Sequence, residues 1–398
     1  MIDLKETNFE QYITNWLVEH NGYRLRGADE SARPIKDKDY DRQTALDTEL
    51  LGEFIKTTQP YEWVRLHEIY GDDALASFVK RLDQELSQIG VLDVLRQGVT
   101  DRGVHIDLFY RRPNSGFNAD AEKLYQSNIF SAQRQVYFSP RDERSVDTVL
   151  FLNGLPIVTI ELKNQLTGQS YAHAIHQYKT DRQPSDKLFA FKRVLVHFAA
   201  DNNEVYMTTK IEGLRTYFLP FNLGNNNGEG NPPAKDKFAT YYLWEDVFTK
   251  DSLAEIISRF MHVMVEKKKD PKTGRTEKKE TLLFPRYHQR DVVRKLIADA
   301  GENGAGRNYL IQHSAGSGKS NSIAWTAHNL SDLHDAGDRK VFDKIIIITD
   351  RRVLDRQLRD TVSQFEQQHD VVKGVTSSSE LREALEDKTK IIVSTLQQ

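Results

Sequence analysis

Apolar positions along the chain change their spacing several times, and each change marks an element. Over residues 4–20, Phe9, Ile13, Trp16 and Leu17 fall on one face of a helix that Gly22 ends. Residues 26–44 are polar and interrupted by Pro34, which reads as a loop. Helical spacing returns over 45–90, through Leu46, Leu50, Leu51, Phe54 and Ile55 and then Leu75, Phe78, Val79, Leu82 and Leu86. Residues 91–110 alternate and predict strands, one of them at 104–110. Residues 117–140 are polar and aromatic. Two apolar, β-rich runs at 147–152 and 157–163 flank Asn153-Gly154-Leu155-Pro156, a strong hairpin signal. A short helix at 170–182, strands at 188–198 and 204–209, an Asn/Gly/Pro loop at 222–233 and a helix at 253–265 follow. From Thr281 strands and helices alternate, with strands at 309–312, 344–349 and 390–395.

The hairpin carries charge in an unusual place. Residues 157–160 read as a buried strand closed by Glu161-Leu162-Lys163, and the period of two puts Glu161 and Lys163 on one face. Asp147 opens the partner run. Charges on an apolar strand are costly unless paired or bound to a metal, although a solvated strand end is the plainer account. Register separates the two. A two-residue turn pairs Leu152 with Leu155 and sets Asp147 opposite Ile160, on the wrong face. A three-residue loop pairs Leu152 with Pro156 and sets Asp147 across from Glu161. A metal site therefore requires an odd loop or a bulge, with Gly154 at positive φ. Metal-assisted phosphodiester hydrolysis needs hard oxygen ligands around Mg²⁺ and a cation beside the reacting phosphate, which Asp147, Glu161 and Lys163 supply.

A second motif follows the run at 309–312. His313-Ser314-Ala315-Gly316-Ser317-Gly318-Lys319-Ser320 leads into an apparent helix through Leu330. Glycines free backbone N–H groups to wrap phosphates, and the helix start adds a favourable dipole. Lys319 reaches the β/γ-phosphates of ATP, and Ser320 ligates Mg²⁺. Upstream, Gln289 offers an amide that can hydrogen-bond an adenine edge in two places.

Composition narrows the classes. The chain has 398 residues, enough for two or three domains, and a net charge of −3, so any nucleic-acid contact must come from local patches. The basic run 267–279 is one such patch, with a solvated linker or hairpin tip as the plainer reading. Cysteine is missing altogether, which excludes disulfides, thiolate zinc sites and cysteine nucleophiles and is compatible with a reducing cytoplasm. No apolar run reaches the roughly 18 residues of a membrane span. The first residues, MIDLKETNFEQYI, lack the pattern of a secretion signal.

Asp147-x13-Glu161-x-Lys163, set in LFLNGLPIVTIELKN, resembles the PD-(D/E)xK nuclease core, and specifically the N-terminal portion of the type I restriction enzyme R subunit. Gly316-Ser317-Gly318-Lys319-Ser320 resembles the superfamily 2 helicase form of the phosphate loop, with His313 where a generic loop has its first glycine. Phe284–Gln289 resembles the glutamine motif of these motors. Asp350-Arg351-Arg352-x-Leu354-Asp355-x-Gln357 and the stretch holding Thr395 and Gln397 resemble their DNA-contacting motifs.

The resemblance implies an α/β chain. A nuclease-like mixed sheet with flanking helices would span 1–265, a basic linker 266–280, and an incomplete RecA-like parallel α/β motor domain 281–398, cut before its Asp-Glu motif. It implies Asp147, Glu161 and Lys163 as catalytic residues. Asp147, Glu161 and Ser320 would be metal ligands, with Glu10 of the first helix as a third carboxylate. Gln289, Ser314, Ala315, Gly316, Ser317, Gly318, Lys319 and Ser320 would bind ATP. Tyr178 fits the Gln-x-x-x-Tyr of related nucleases, but position 174 is Ala, with Gln177 beside the tyrosine. Asp107 is a rival ligand, explained more plainly by pairing with Arg111 or Arg112.

The implied function is the restriction subunit of a type I restriction-modification system: a Mg²⁺-dependent DNA endonuclease coupled to an ATP-driven translocase. Its partners would be double-stranded DNA and the methyltransferase (modification) and specificity subunits, with no membrane. Without an Asp-Glu pair and a second motor domain, the chain is expected to bind ATP without useful turnover. Alternatives are a non-cutting fragment that binds DNA or partner subunits, and a helicase–nuclease fusion of DNA repair.

Overall fold

Residues 9–113, 118–226, 228–269, 276–350, 352–365 and 371–396 are described by a computed structural model of the chain. It divides into two units, Met1–Met261 and His262–Gln398.

In the first unit, α1 (Phe9–Asn21) buries Phe9, Ile13 and Leu17 and ends at Gly22, whose φ of 67° terminates the helix. β1 (Arg24–Arg26) follows, then α2 (Thr48–Thr58), α3 (Pro60–Tyr70) and α4 (Ala74–Gln88). Asp47 caps α2 by accepting from Leu50 N. The strand expectation at 91–110 is corrected in its first half, which forms α5 (Val91–Gln97). Buried Val91, Leu92, Val94 and Leu95 have helical spacing, and Gly90 and Gly98 at positive φ punctuate both ends. Only β2 (Val99–Asp101) and β3 (Val104–Ile106) remain as a small hairpin.

After α6 (Ala119–Gln126) come β4 (Phe130–Tyr137), β5 (Ser145–Leu152), β6 (Leu155–Leu162), α7 (Tyr171–Thr180), β7 (Val196–Ala200), β8 (Val205–Thr208) and β9 (Leu219–Pro220). The sheet order is β1-β4-β5-β6-β7-β8-β9. β6 sits at its centre, antiparallel to β5 and parallel to β7, and the crossover to β7 carries α7. β4 runs through a segment whose polar residues hid it. Its Gln133 donates to Lys38 O, and Arg134 donates to Ala32 O. Carbonyls of the polar loop after β1 thus accept from one side-chain nitrogen of each of these two residues. The helix expected at 253–265 is shorter. α8 (Lys250–Glu255) and a wider turn at Ile256–Phe260 precede a strand.

Beneath β6, Thr159 Oγ1 meets Tyr178 OH at 2.8 Å and His197 Nδ1 at 2.7 Å. Burial pushes the His197 imidazole down to about 3. The unfolded chain then binds a proton below pH 6.5 that the folded chain refuses, so stability falls as pH drops from 6.5 toward 3. His197 is expected to remove about 2 kcal/mol of unfolding free energy between pH 7 and pH 5. His197→Gln, compared with wild type by urea denaturation at both values, should abolish that share of the slope. Equal slopes would contradict the assignment.

The second unit opens with β10 (His262–Lys269) and β11 (Thr276–Leu283), paired from His262↔Leu283 to Lys269↔Thr276. The described part of 266–280, expected as a linker, is therefore paired strand. In the described part of this basic stretch, residues 267–269 and 276–279, the two strands pair with each other. Next come α9 (Tyr287–Asn303), α10 (Lys319–Ser331), β12 (Ile345–Thr349), α11 (Arg352–Gln364), β13 (Val372–Gly374), α12 (Ser378–Glu386) and β14 (Ile391–Thr395). Their sheet is wholly parallel, in the order β12-β14-β13. The strand expected at 309–312 does not form. Tyr309, Leu310 and Ile311 are exposed, and an apolar run becomes a strand only where a neighbour completes its backbone bonds.

Candidate functional site

The hairpin β5–β6 turns through Asn153 and Gly154, at φ 52° and 84°. It is a two-residue turn, since Leu152 pairs with Leu155 and Phe151 with Pro156. The three-residue loop is not what forms. A bulge takes its place: the register shifts between Leu150 and Phe151, Ile157 is the extra residue, and Thr148 pairs with Ile160. One further step along this ladder sets Asp147 across from Glu161, as a metal site requires. Asn153 holds the turn in place. Its side chain accepts from Ile129 N and donates to Leu108 O.

Asp147 Oδ2 accepts from Leu162 N at 2.8 Å and lies 3.7 Å from Lys163 Nζ. The three residues at the open end of the hairpin are therefore together. Glu161 is fully buried. Burial pushes its carboxyl well above the usual range, with Asp147 adding to the shift and Arg182 and Lys163 opposing it. Glu10, from α1, reaches the same place. Burial and then Asp147 push it up to about 7, against Gln135, Arg134 and Lys163.

Two residues at this site gave no signal in the sequence reading. Arg182, just beyond α7, donates through Nε to Glu161 Oε1 at 2.7 Å. Gln135, on β4, has φ 51° and donates to Glu10 Oε2 at 3.0 Å and Asp147 Oδ1 at 3.5 Å. A positive φ on a glutamine is strained, and such strain clusters at working sites. Arg182 lies at the end of the segment that the sequence delimits as a helix, but nothing in its spacing marks it as facing Glu161.

Tyr178 belongs to the core beneath β6 through its bond to Thr159. Ala174 is buried against the same cluster, so no amide stands there. Asp107 is exposed and lies 3.4 Å from His105 Nε2, away from the carboxylate group. His173 is used locally, its Nδ1 accepting from Ser170 N at the start of α7.

Among the described residues no group of three or more His, Asp or Glu side chains is placed so that together they could hold a metal ion. The donor set nevertheless fits a hard divalent cation. Glu161 Oε2 and Glu10 Oε1 are buried without a hydrogen-bond partner. A magnesium ion is ordinarily held by one or two carboxylates, with water and phosphate oxygens completing its octahedron.

In the second unit, Gly316 and Gly318 take φ of 74° and 80°, and Lys319 starts α10. Lys319 Nζ donates back to His313 O and Ser314 O, while Ser320 is exposed. Gln289 is buried. Its Oε1 accepts from Arg286 N, and its Nε2 donates to Ser317 O and Gly318 O at 3.1 Å each. The amide expected at adenine thus braces the loop between Ser314 and Ser320, with Ala315 at the loop's exposed tip. Thr395 is buried in β14, whereas Arg351, Gln397 and the side chains of 352–357 lie outside the described residues.

The first unit thus presents Asp, Glu and Lys on a bulged hairpin at the centre of a mixed sheet, and the second carries a glycine-rich loop at a helix start, as expected of the families these motifs resemble. Comparison with known proteins agrees. Residues 3–216 match the family described as type I restriction enzyme R protein N terminus, and residues 288–398 match the SWI2/SNF2 ATPase family. The chain belongs to the type I restriction enzyme R protein family. It is 25% identical over 337 residues to the type I restriction enzyme HindI endonuclease subunit of Haemophilus influenzae, covering 79% of this chain and 30% of that protein. It is 25% identical over 278 residues to the SauCOLORF180P endonuclease subunit of Staphylococcus aureus, covering 69% and 26%. The chain thus spans less than a third of the length of these relatives. No helix among the described residues is long and apolar enough to cross a membrane.

Proposed function

We propose that the first unit is a PD-(D/E)xK nuclease that cuts double-stranded DNA with Mg²⁺. On this reading the second unit is part of a RecA-like, ATP-binding motor domain, so that the chain acts in a restriction subunit. The observation that carries this reading is the bulge at Ile157, which brings Asp147 opposite Glu161 with Lys163 beside them.

Asp147 and Glu161 would hold the ion, with Glu10 as a third carboxylate reaching it directly or through water. Bound there, Mg²⁺ supplies Lewis-acid polarisation of the scissile phosphate and a more acidic water. Lys163, 3.7 Å from Asp147, is placed to orient the attacking water and to offset charge on the phosphate. Glu161, buried at the base of the site, would present its unpartnered Oε2 to the ion. Gln135 spaces Glu10 from Asp147 by bonding to both. Double-stranded DNA as substrate, modification and specificity subunits as partners, and the cytoplasm as setting follow from the family. So does ATP, held by Ser314–Ser320 with a second Mg²⁺ at Ser320.

Nicking of supercoiled plasmid by the whole chain tests the proposal. Cleavage should require Mg²⁺ and vanish in Asp147→Asn. Metal-independent nicking, or nicking retained by that variant, would refute it. A second reading, a DNA-binding module that does not cut, draws on the ion pairs that already engage both acids, Asp147 with Lys163 and Glu161 with Arg182. DNA binding without Mg²⁺-dependent nicking by wild type would select it.

For the nucleotide site, Gln289→Ala removes the amide that donates to Gly318 O and one of the two donors to Ser317 O, the other being His288 Nε2. The loss of such bonds costs about 1–3 kcal/mol, so the Kd for a fluorescent ATP analogue should rise roughly tenfold. An unchanged Kd would mean that the brace does not shape the loop.

A further inference from the structure

Arg182 is 3% exposed, and both Nε and Nη2 of its guanidinium converge on a single oxygen of Glu161, Oε1, at 2.7 and 2.5 Å. The same Nη2 donates to Ser145 O at 2.7 Å, two residues before Asp147 on β5. The guanidinium also lies over the Phe138 ring, its carbon 5.1 Å from the centroid. The usual pairing of guanidinium and carboxylate is a fork in which each oxygen takes one nitrogen. Here Oε1 takes both, and Oε2 is left buried with no partner. Nothing in the stability of the pair calls for this arrangement, because a second bond to Oε2 would satisfy one more buried atom.

Resting on the nuclease reading of this site, we infer that Arg182 is a positioning residue for the metal. It clamps Glu161 by one oxygen and fixes the start of β5, so that the other oxygen, Oε2, is aimed at the ion shared with Asp147. The clamp spans both ligand-bearing strands and reaches them from the end of α7. Packing around that helix therefore sets the carboxylate angle. Arg182 touches neither the ion nor DNA. Lysine cannot do this work, since one ammonium on a flexible stem cannot hold Oε1 and Ser145 O in a fixed plane.

Mn²⁺ titration of the full chain, followed by calorimetry and by the electron paramagnetic resonance of the free ion, tests this. Arg182→Ala strands a buried carboxylate and is expected to unfold in part, so the diagnostic variant is Arg182→Lys, with circular dichroism to confirm its fold. Asp147→Asn and Glu161→Gln should each weaken Mn²⁺ binding. Arg182→Lys should weaken it about tenfold, the lower end of what outer-shell partners of metal ligands contribute. In the Glu161→Gln background the same change should add nothing, because the oxygen it aims is gone. An unchanged Mn²⁺ affinity in Arg182→Lys, with Glu161→Gln still weakened, would overturn the inference and leave the nuclease reading standing. An equal loss in both backgrounds would also overturn it, since Arg182 would then act through general structure. No effect of Asp147→Asn or Glu161→Gln would remove the nuclease reading itself.

Discussion

Glu161→Gln is expected to lower Mg²⁺-dependent strand cleavage by about a thousandfold or more while the chain stays folded. The size follows from what is removed. A carboxylate on the ion contributes several kcal/mol of charge stabilisation where negative charge develops, and about 4 kcal/mol is a thousandfold in rate. The fold survives for a separate reason. Burial already holds the Glu161 carboxyl well above its usual range, so the charged form is costly in the folded chain. A neutral glutamine escapes that cost and still offers Oε1 to Arg182. What it withdraws is the counter-charge of a buried guanidinium, so some loss of thermal stability should accompany the kinetic loss. Cleavage within tenfold of wild type in a folded variant would be incompatible with a metal at Glu161.

Gly154→Ala is expected to destabilise the first unit by at least about 3 kcal/mol. At φ 84° any L side chain is strained. A Cβ there would also stand 2.4 Å from Asp47 O and 2.9 Å from Leu51 N, both backbone atoms of the capped start of α2. Neither can move without breaking the bond from Asp47 N to Gly154 O and the Asp47 cap. Gly103 supplies the control. Its φ is 82°, yet a Cβ there meets nothing within 4 Å, so Gly103→Ala should cost only the strain, about 1–2 kcal/mol. Urea denaturation of both variants reads the difference. A Gly154→Ala no worse than Gly103→Ala would show that the hairpin tip is not seated on α2, and the register argument would lose its anchor.

The hairpin was legible because its signals are local. Alternation, Asn-Gly and terminal charges all act within about twenty residues, and the requirement for a bulge followed from counting alone. Which device would supply the odd residue was not legible. A three-residue loop and a two-residue turn with a bulge at Ile157 give the same register beyond it, and only packing of Asn153 and Gly154 against distant backbone chooses between them. β4 is not legible in the sequence because it carries polar residues, of which Gln133 and Arg134 donate to carbonyls of a loop far upstream in the chain. The run at 309–312 forms no strand because apolar character alone supplies no partner for its backbone bonds. Arg182 and Gln135 were missed for the same physical reason: their roles come from the oxygen atoms they face, and spacing along the chain carries no record of that.

The most direct measurement is a crystal soaked in Mn²⁺ and examined by anomalous scattering at the manganese edge. The predicted result is one strong peak between β5 and β6, about 2.1 Å from an Asp147 carboxylate oxygen and from Glu161 Oε2, with Lys163 outside its coordination sphere. A map with no peak at these two carboxylates, at concentrations where the chain nicks DNA, would contradict the account at its root.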